Sequence, residues 1–343
     1  MAWTFLKGLE RGENEMKADG LKTGLAFLNK FLSTPADKEG KIKIESYVQD
    51  HQKYCKLMAY KKDVGIAYCF PFEQAIADFS IAVCVKDLQE IMKGLKKSDE
   101  VELDLSTPKK FILRTEKDTL EIEKWVVKKH VPLTWEKKVS IPVEYWENVM
   151  GVHSMLTSKS LYDFANSVFF HMEDHKLETI NTNGAIFLYN SMDSAVSAEP
   201  FDFIIPHDVI GMVLKWGNLI KGDTIEILSS GSSIRFSDGS REIYVCKDEH
   251  TFFPALKTVL EKTFDGKIYD VEELEGNVTV HKDGTADVFH VKIQEKFLKE
   301  IQSLSGWSMK IPDNCTDPII LEKDDGETDA KIWILPIDPE KQG

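Results

Sequence analysis

The chain has 343 residues and a formal net charge of −14, a length that calls for two or three hydrophobic cores rather than one. Its 42% hydrophobic and 29% charged content excludes a disordered chain. No apolar run reaches the ~18–20 residues that span a bilayer, and charges interrupt the opening MAWTFLKGLERGENEMK, so no signal peptide is expected there.

The first helical pattern is MKADGLKTGLAFLNKFL (16–32). The second follows a short apolar strand in IAVCVKDLQEIMKGL (81–95), where Leu88, Ile91, Met92 and Leu95 fall on one face at a period of 3.6. Three alternating segments come next: VELDLS (101–106), KFILRT (110–115) and DTLEIEKWVV (118–127). Period-two alternation of this kind predicts half-buried strands. The pattern then restarts at VSIPVEYWENVMGV (139–152) and at FIIPHDVIGMVLKWG (203–217). The strands DTIEILSS (223–230), SIRFSD (233–238) and REIYVC (241–246) follow, separated by Ser230-Gly231-Ser232 and Asp238-Gly239-Ser240 turns. A last copy is FHVKIQEKFLKEIQSL (289–304), with Phe297, Leu298, Ile301 and Leu304 on one face.

One unit therefore recurs: a short apolar strand, a turn residue, an amphipathic helix, then strands. A single unit is too small to bury its helix, so units pair into domains. The expected fold is α+β, with repeated helix-plus-antiparallel-sheet half-domains. The boundaries fall at 16–134, 135–254 and a shortened 255–343, after a 1–15 extension.

Cys55, Cys69, Cys84, Cys246 and Cys315 are odd in number and form no CxxC pair, against a disulfide framework or a zinc site. They read as small core residues in a reducing compartment. Trp125, Trp135, Trp146, Trp216 and Trp307 read as core. No strand face interleaves aromatics with basic residues as a single-strand platform requires. No phosphate loop, nucleophile elbow or HExxH occurs, so the chain reads as no enzyme, with no metal and no cofactor. The densest titratable cluster, His171, Glu173, Asp174 and His175, reads as a hairpin turn. A metal-dependent nuclease built on it is the least favoured alternative.

Charge is unevenly placed. The helical segments carry Lys22, Lys30, Lys86, Lys93, Lys96, Lys97, Lys159, Lys215, Lys221, Lys296 and Lys299 and are together net basic in an acidic chain. Only four basic residues are Arg: Arg11, Arg114, Arg235 and Arg241. Arg supplies the fork that reads guanine edges, so a Lys-dominated set suits phosphate attraction rather than sequence readout.

FANSVFFHMEDHKLETINTNGAIFLY (164–189), FDFIIPHDVIGMVLK (201–215), Phe253-Pro254 and PIILEKDDGETDAKIWILPID (318–338) together resemble the bacterial beta sliding clamp, the processivity subunit of DNA polymerase III, and its phage relatives. Thr182-Asn183-Gly184 hold the family's Thr-Asp-Gly turn, with Asn183 for Asp. Ile186 stands where the family has a basic residue and Phe187 where it has Leu. Leu335-Pro336-Ile337 hold the closing positions. The resemblance implies a DNA clamp fold, in which two protomers form a homodimeric ring in the cytoplasm with the lysine-bearing helices lining its inner face. Duplex DNA passes through without sequence readout. The DNA polymerase and clamp loader dock a short apolar peptide into a groove at Ala165, Thr182, Gly184, Phe187, Pro254, Val259, Leu335, Pro336 and Ile337. The alternative is a clamp-like protein-binding scaffold that never encircles DNA.

Overall fold

The computed structural model describes residues 15–32, 34–49, 51–61, 64–72, 78–116, 118–127, 134–146, 167–173, 175–193, 200–247, 265–324, 326 and 328–337. In chain order, β1 (Glu15–Lys17) runs into α1 (Ala18–Leu28), followed by the short α2 (Pro35–Glu39). Next come β2 (Lys41–Gln49), β3 (Gln52–Lys61), β4 (Val64–Pro71) and β5 (Ser80–Cys84), then α3 (Val85–Gly94). The first group closes with β6 (Glu100–Asp104), β7 (Lys110–Arg114) and β8 (Thr119–Val126). A second cycle has β9 (Glu136–Pro142), β10 (Val168–Glu173), β11 (Lys176–Thr182), β12 (Ile186–Asp193), β13 (Phe201–Ile205) and α4 (His207–Gly217). It ends with β14 (Thr224–Ser230), β15 (Ser233–Ser237) and β16 (Arg241–Cys246). The last part has β17 (Gly266–Asp270), β18 (Val278–Val280), β19 (Thr285–Val288) and β20 (Val291–Gln294), then α5 (Glu295–Gln302). The strands β21 (Ser308–Pro312), β22 (Ile319–Asp324) and β23 (Thr328–Ile334) complete it.

The strands predicted from alternation at 101–127 and 223–246 are present, and α1, α3, α4 and α5 are each shorter than the apolar pattern that predicted them. The repeat also departs from expectation at its joint. Helices α1, α3 and α5 follow their strands with no turn residue, and their N-cap residues Lys17, Cys84 and Gln294 are extended and give no side-chain cap. Long-range main-chain bonds take the place of side-chain caps. The first helical N–H donates to the carbonyl of a residue just before a strand: Ala18 to Asp99 (2.9 Å), Val85 to Gly40 (3.0 Å) and Glu295 to Gly284 (2.9 Å). Val143, the first helical residue after β9, does the same with Asp223 (3.0 Å). Each bond satisfies one of the orphan donors at a helix start. Its recurrence four times is the structural form of the internal repeat. Residues 143–146 are helical, and the remainder of that predicted helix lies outside the described residues.

By packing, the chain divides into two compact units. The first comprises residues 1–136 with 220–222 and 228–245. Its sheet has the order β1-β6-β7-β8-β5-β2-β3-β4-β16, with β15 beside β16. The pairings from β1 to β16 are antiparallel. Leu21, Leu25 and Leu28 of α1 and Leu88 and Met92 of α3 are buried. Gly20 and Gly24 let α1 lie directly on β4, since a Cβ at Gly20 would stand 2.3 Å from the Phe70 ring and one at Gly24 2.8 Å from Tyr68.

The second unit holds an antiparallel sheet in the order β13-β10-β11-β12-β23-β22-β21-β17, and the small sheet β18-β19-β20. Phe297, Leu298 and Ile301 of α5 pack on Ile186, Leu188, Ile332 and Ile334. Cys55 and Cys69 are core residues as expected, but Cys84 is only half-buried and Cys246 and Cys315 are exposed. Each of these three ends its element or lies in a turn, where alternation no longer fixes which side faces inward. Trp146, Trp216 and Trp307 are buried, whereas Trp125 and Trp135 are half-buried under Lys41 and Arg235.

Candidate functional site

Two features gather the predicted site residues. In the first unit, α1 and α3 lie side by side, joined by Gln89 Nε2 donating to Asn29 Oδ1 (2.6 Å). A cleft of about 520 Å³ between them is lined by Lys22, Leu25, Ala26, Asn29, Leu32, Gln89, Met92 and Lys93. The lysines are not equivalent. Lys22 is half-buried and its ammonium donates to the Leu95 carbonyl, so it is tied down rather than projecting. Lys93 pairs with Glu90 (2.7 Å) and Lys97 with Asp19 (2.9 Å). Lys30, Lys86 and Lys96 are exposed. In the second unit Lys215, Lys296 and Lys299 are exposed, with the Lys296 ammonium 4.8 Å from the Phe297 ring. Lys221 is exposed in the first unit. Lys159 lies outside the described residues.

The second feature is the β11–β12 turn with the end of β23. Gly184 takes φ +87°, a conformation open to glycine. Asn183 Oδ1 accepts from the Ala185 and Ile186 N–H groups (both 2.9 Å), and Thr182 Oγ1 donates to the Ile186 carbonyl (2.7 Å). The chain after β23 is held against this turn: Leu335 N–H donates to the Ala185 carbonyl (2.9 Å) and Ile337 N–H to the Lys292 carbonyl (2.8 Å). Thr182, Gly184, Phe187, Leu335, Pro336 and Ile337 are thus brought together. Ala165, Pro254 and Val259 lie outside the described residues. Ile186 faces the opposite way, into the α5 core, so its departure from the family pattern does not alter this surface.

Sequence reading missed the residues beside Phe187. Phe187 opposes Trp333 across β12–β23, and Trp333 opposes Ile320 across β22–β23. With Ile180, Tyr189 and Phe169 they form an apolar cluster. The sequence does carry a signal for it, because Trp333 precedes Leu335 by two residues and shares its phase in a strand.

A second missed cluster lies in the first unit. Glu242 is 5% exposed and takes an ion pair from Lys56 (2.8 Å) and a hydrogen bond from Arg235 (3.3 Å). Lys56 also reaches Tyr244 Oη (2.8 Å), which in turn hydrogen-bonds Glu242. Burial pushes the Glu242 pKa up, but the Lys56 and Arg235 charges outweigh it and hold the group below the ordinary value. Tyr54, Lys56 and Tyr60 do alternate along β3, but Lys56 is committed to Glu242 and is no phosphate contact.

A hairpin joins β10 and β11 as expected, but His171 and Glu173 lie in β10 rather than in its turn, and Asp174 lies outside the described residues. His175, at φ +66°, forms the β10–β11 turn, and His171 Nδ1 lies 2.6 Å from Asp202. Burial lowers the His171 pKa, but the Asp202 and Glu173 carboxylates outweigh it and raise it overall. No group of three metal-ligating side chains occurs among the described residues. Among them, no helix is long and apolar enough to cross a membrane.

No protein-family model matches the sequence and no curated protein is matched by it. Solved structures do match along nearly the full length. A DNA polymerase sliding clamp from Pseudomonas aeruginosa, solved with ligand, superposes with a TM-score of 0.73 at 12% identity, covering 95% of this chain and 99% of that one. The fold is that of the bacterial sliding clamps. A Helicobacter pylori beta clamp in complex with 3,4-difluorobenzamide gives a TM-score of 0.70 at 13% identity with the same coverage. Another, bound to a DNA ligase peptide, gives 0.67 at 13%.

Proposed function

We propose that this chain is a DNA sliding clamp. Three domains, 16–134, 135–254 and 255–343, follow an extension at 1–15, and two protomers close a ring around duplex DNA. Lys30, Lys86, Lys96, Lys215, Lys221, Lys296 and Lys299 then supply the phosphate attraction, with Lys22, Lys93 and Lys97 partly committed to neighbours. Attraction to phosphates without base contacts permits sliding, because no register is preferred. The chain performs no chemistry and needs no cofactor. Its partners, a polymerase and a clamp loader in the cytoplasm, dock a short apolar peptide at Thr182, Gly184, Phe187 and Leu335–Ile337. The wider groove set adds Ala165, Pro254 and Val259.

The observation that carries this reading is the match to sliding clamps over 95% of the chain, one of which is bound to a DNA ligase peptide. Particle images of the purified chain test it. An annulus with an opening wider than a duplex is the expected result, with sedimentation as a dimer. Monomeric, open-ended particles at all concentrations would remove the ring and leave a protein-binding scaffold.

A further inference from the structure

The cleft between α1 and α3 has an ordered lining. The two helices run antiparallel: Lys97 meets Asp19 at one end (2.9 Å), and Gln89 meets Asn29 at the other (2.6 Å). Two cations therefore line the first end, Lys22 from α1 and Lys93 from α3. Leu25 and Met92 come next, buried as an apolar floor, and the bonded Asn29–Gln89 amides line the far end. Among the described residues, no carboxylate lines the cleft. Each polar group keeps capacity for a ligand. An ammonium has three donors, and Lys22 commits one to the Leu95 carbonyl. The Lys93–Glu90 pair is exposed on both sides, the class of ion pair that contributes least and exchanges most readily. The Gln89–Asn29 bond leaves Asn29 Nδ2 and Gln89 Oε1 without a hydrogen bond among the described residues, a donor beside an acceptor. The seven residues from Lys22 to Asn29 rise about 10 Å. The cleft volume of about 520 Å³ is in the range of small-molecule sites.

We propose that this cleft binds an adenine mononucleotide, with its phosphate on Lys22 and Lys93, its base over Leu25 and Met92, and the base edge on the Asn29–Gln89 amides. The order of the lining selects this class of ligand. A simple anion would use only the lysine end, and an uncharged apolar molecule only the floor. A mononucleotide presents charge, a flat apolar body and a hydrogen-bonding edge in that sequence. Adenine shows a donor beside an acceptor, N6–H and N7, which answers one amide acceptor and one amide donor; guanine shows two acceptors on the same edge. A site that hydrogen-bonds one edge rejects the other, because its own polar groups are then left unpaired. Duplex DNA cannot occupy the far end, since its bases are stacked and paired inside the helix. The inference is therefore independent of the ring and of the peptide groove.

The test titrates the full-length chain, uniformly labelled with 15N, with adenosine monophosphate, guanosine monophosphate and inorganic phosphate. The expected result is that the adenine nucleotide moves the Asn29 and Gln89 side-chain amide signals together with the backbone signals of α1 and α3. Phosphate should move only the signals around Lys22 and Lys93, and the guanine nucleotide should bind at least fivefold less tightly than the adenine one. Gln89→Leu should weaken the adenine nucleotide about fivefold to tenfold, the factor one hydrogen bond supplies, and leave the phosphate response unchanged. If phosphate binds as tightly as the adenine nucleotide and moves the same signals, the lysines act alone and the inference fails. It fails equally if the adenine nucleotide leaves both amide signals in place, or if the guanine nucleotide binds as well. The amide shifts are read on the unsubstituted chain, so the result does not depend on the variant folding.

Discussion

At the scale of single residues, the most consequential group is Glu242. One carboxylate compensates two cations, the buried Lys56 and the half-buried Arg235. Removing one partner of such a buried set leaves an uncompensated charge and typically costs about 3–5 kcal/mol. Glu242→Gln should therefore lower the unfolding free energy by about that amount in urea titration. The folded-state pKa of Glu242 is depressed, so its contribution is fully present above the unfolded-state value of an ordinary Glu. That contribution is lost as pH falls through the depressed value. Below that window the variant and the parent should converge. His171 has the opposite sign: its folded pKa is raised, so its small contribution is present at acid pH and lost as pH rises through that value. NMR titration of the His171 ring against Asp202→Asn checks this, since the variant should titrate lower.

Among the elements, the contact between α1 and β4 is set by glycine. A Cβ at Gly20 would fall inside the Phe70 ring's contact distance, and both the helix and the ring are packed. Gly20→Ala should gain at most about 1 kcal/mol of helix propensity and lose about 1–3 kcal/mol to overpacking against the Phe70 ring. Thermal melting should show the net loss. The α1 and α3 lysines give a prediction with an internal control. Lys96 is exposed with no ion pair among the described residues, whereas the Lys97 ammonium is offset by Asp19. On duplex DNA, Lys96→Ala should make the log–log salt dependence shallower by about one unit, the share of a single neutralised phosphate. Lys97→Ala should change it less. Equal, negligible changes in both would remove these helices from the DNA-facing surface.

For the molecule as a whole, the proposed ring and the proposed groove make separable demands. Leu335→Asp places a charge where the proposed peptide docks, so capture of a polymerase-derived apolar peptide should drop at least tenfold. The dimer and the melting temperature should stay nearly unchanged, because Leu335 lies beyond the end of β23 and outside the α5 core. Loss of the dimer together with the peptide would show that the segment serves the fold instead.

Much of the architecture is local and was therefore legible from residue order. Alternation placed β6–β8 and β14–β16, and a period of 3.6 placed α3 and α5, because each element must turn one apolar side inward. The helix ends were not legible, since their caps are carbonyls distant in sequence, such as Asp99 for Ala18 and Gly284 for Glu295. Nor was the commitment of individual charges. Lys56 and Lys96 look alike in the sequence, yet one is buried against Glu242 and the other faces solvent. Trp333 likewise joins Phe187 only through β12–β23 pairing. Pattern along the chain determines which side of an element is apolar; only strand pairing between distant segments decides which polar groups meet and which are left without a partner.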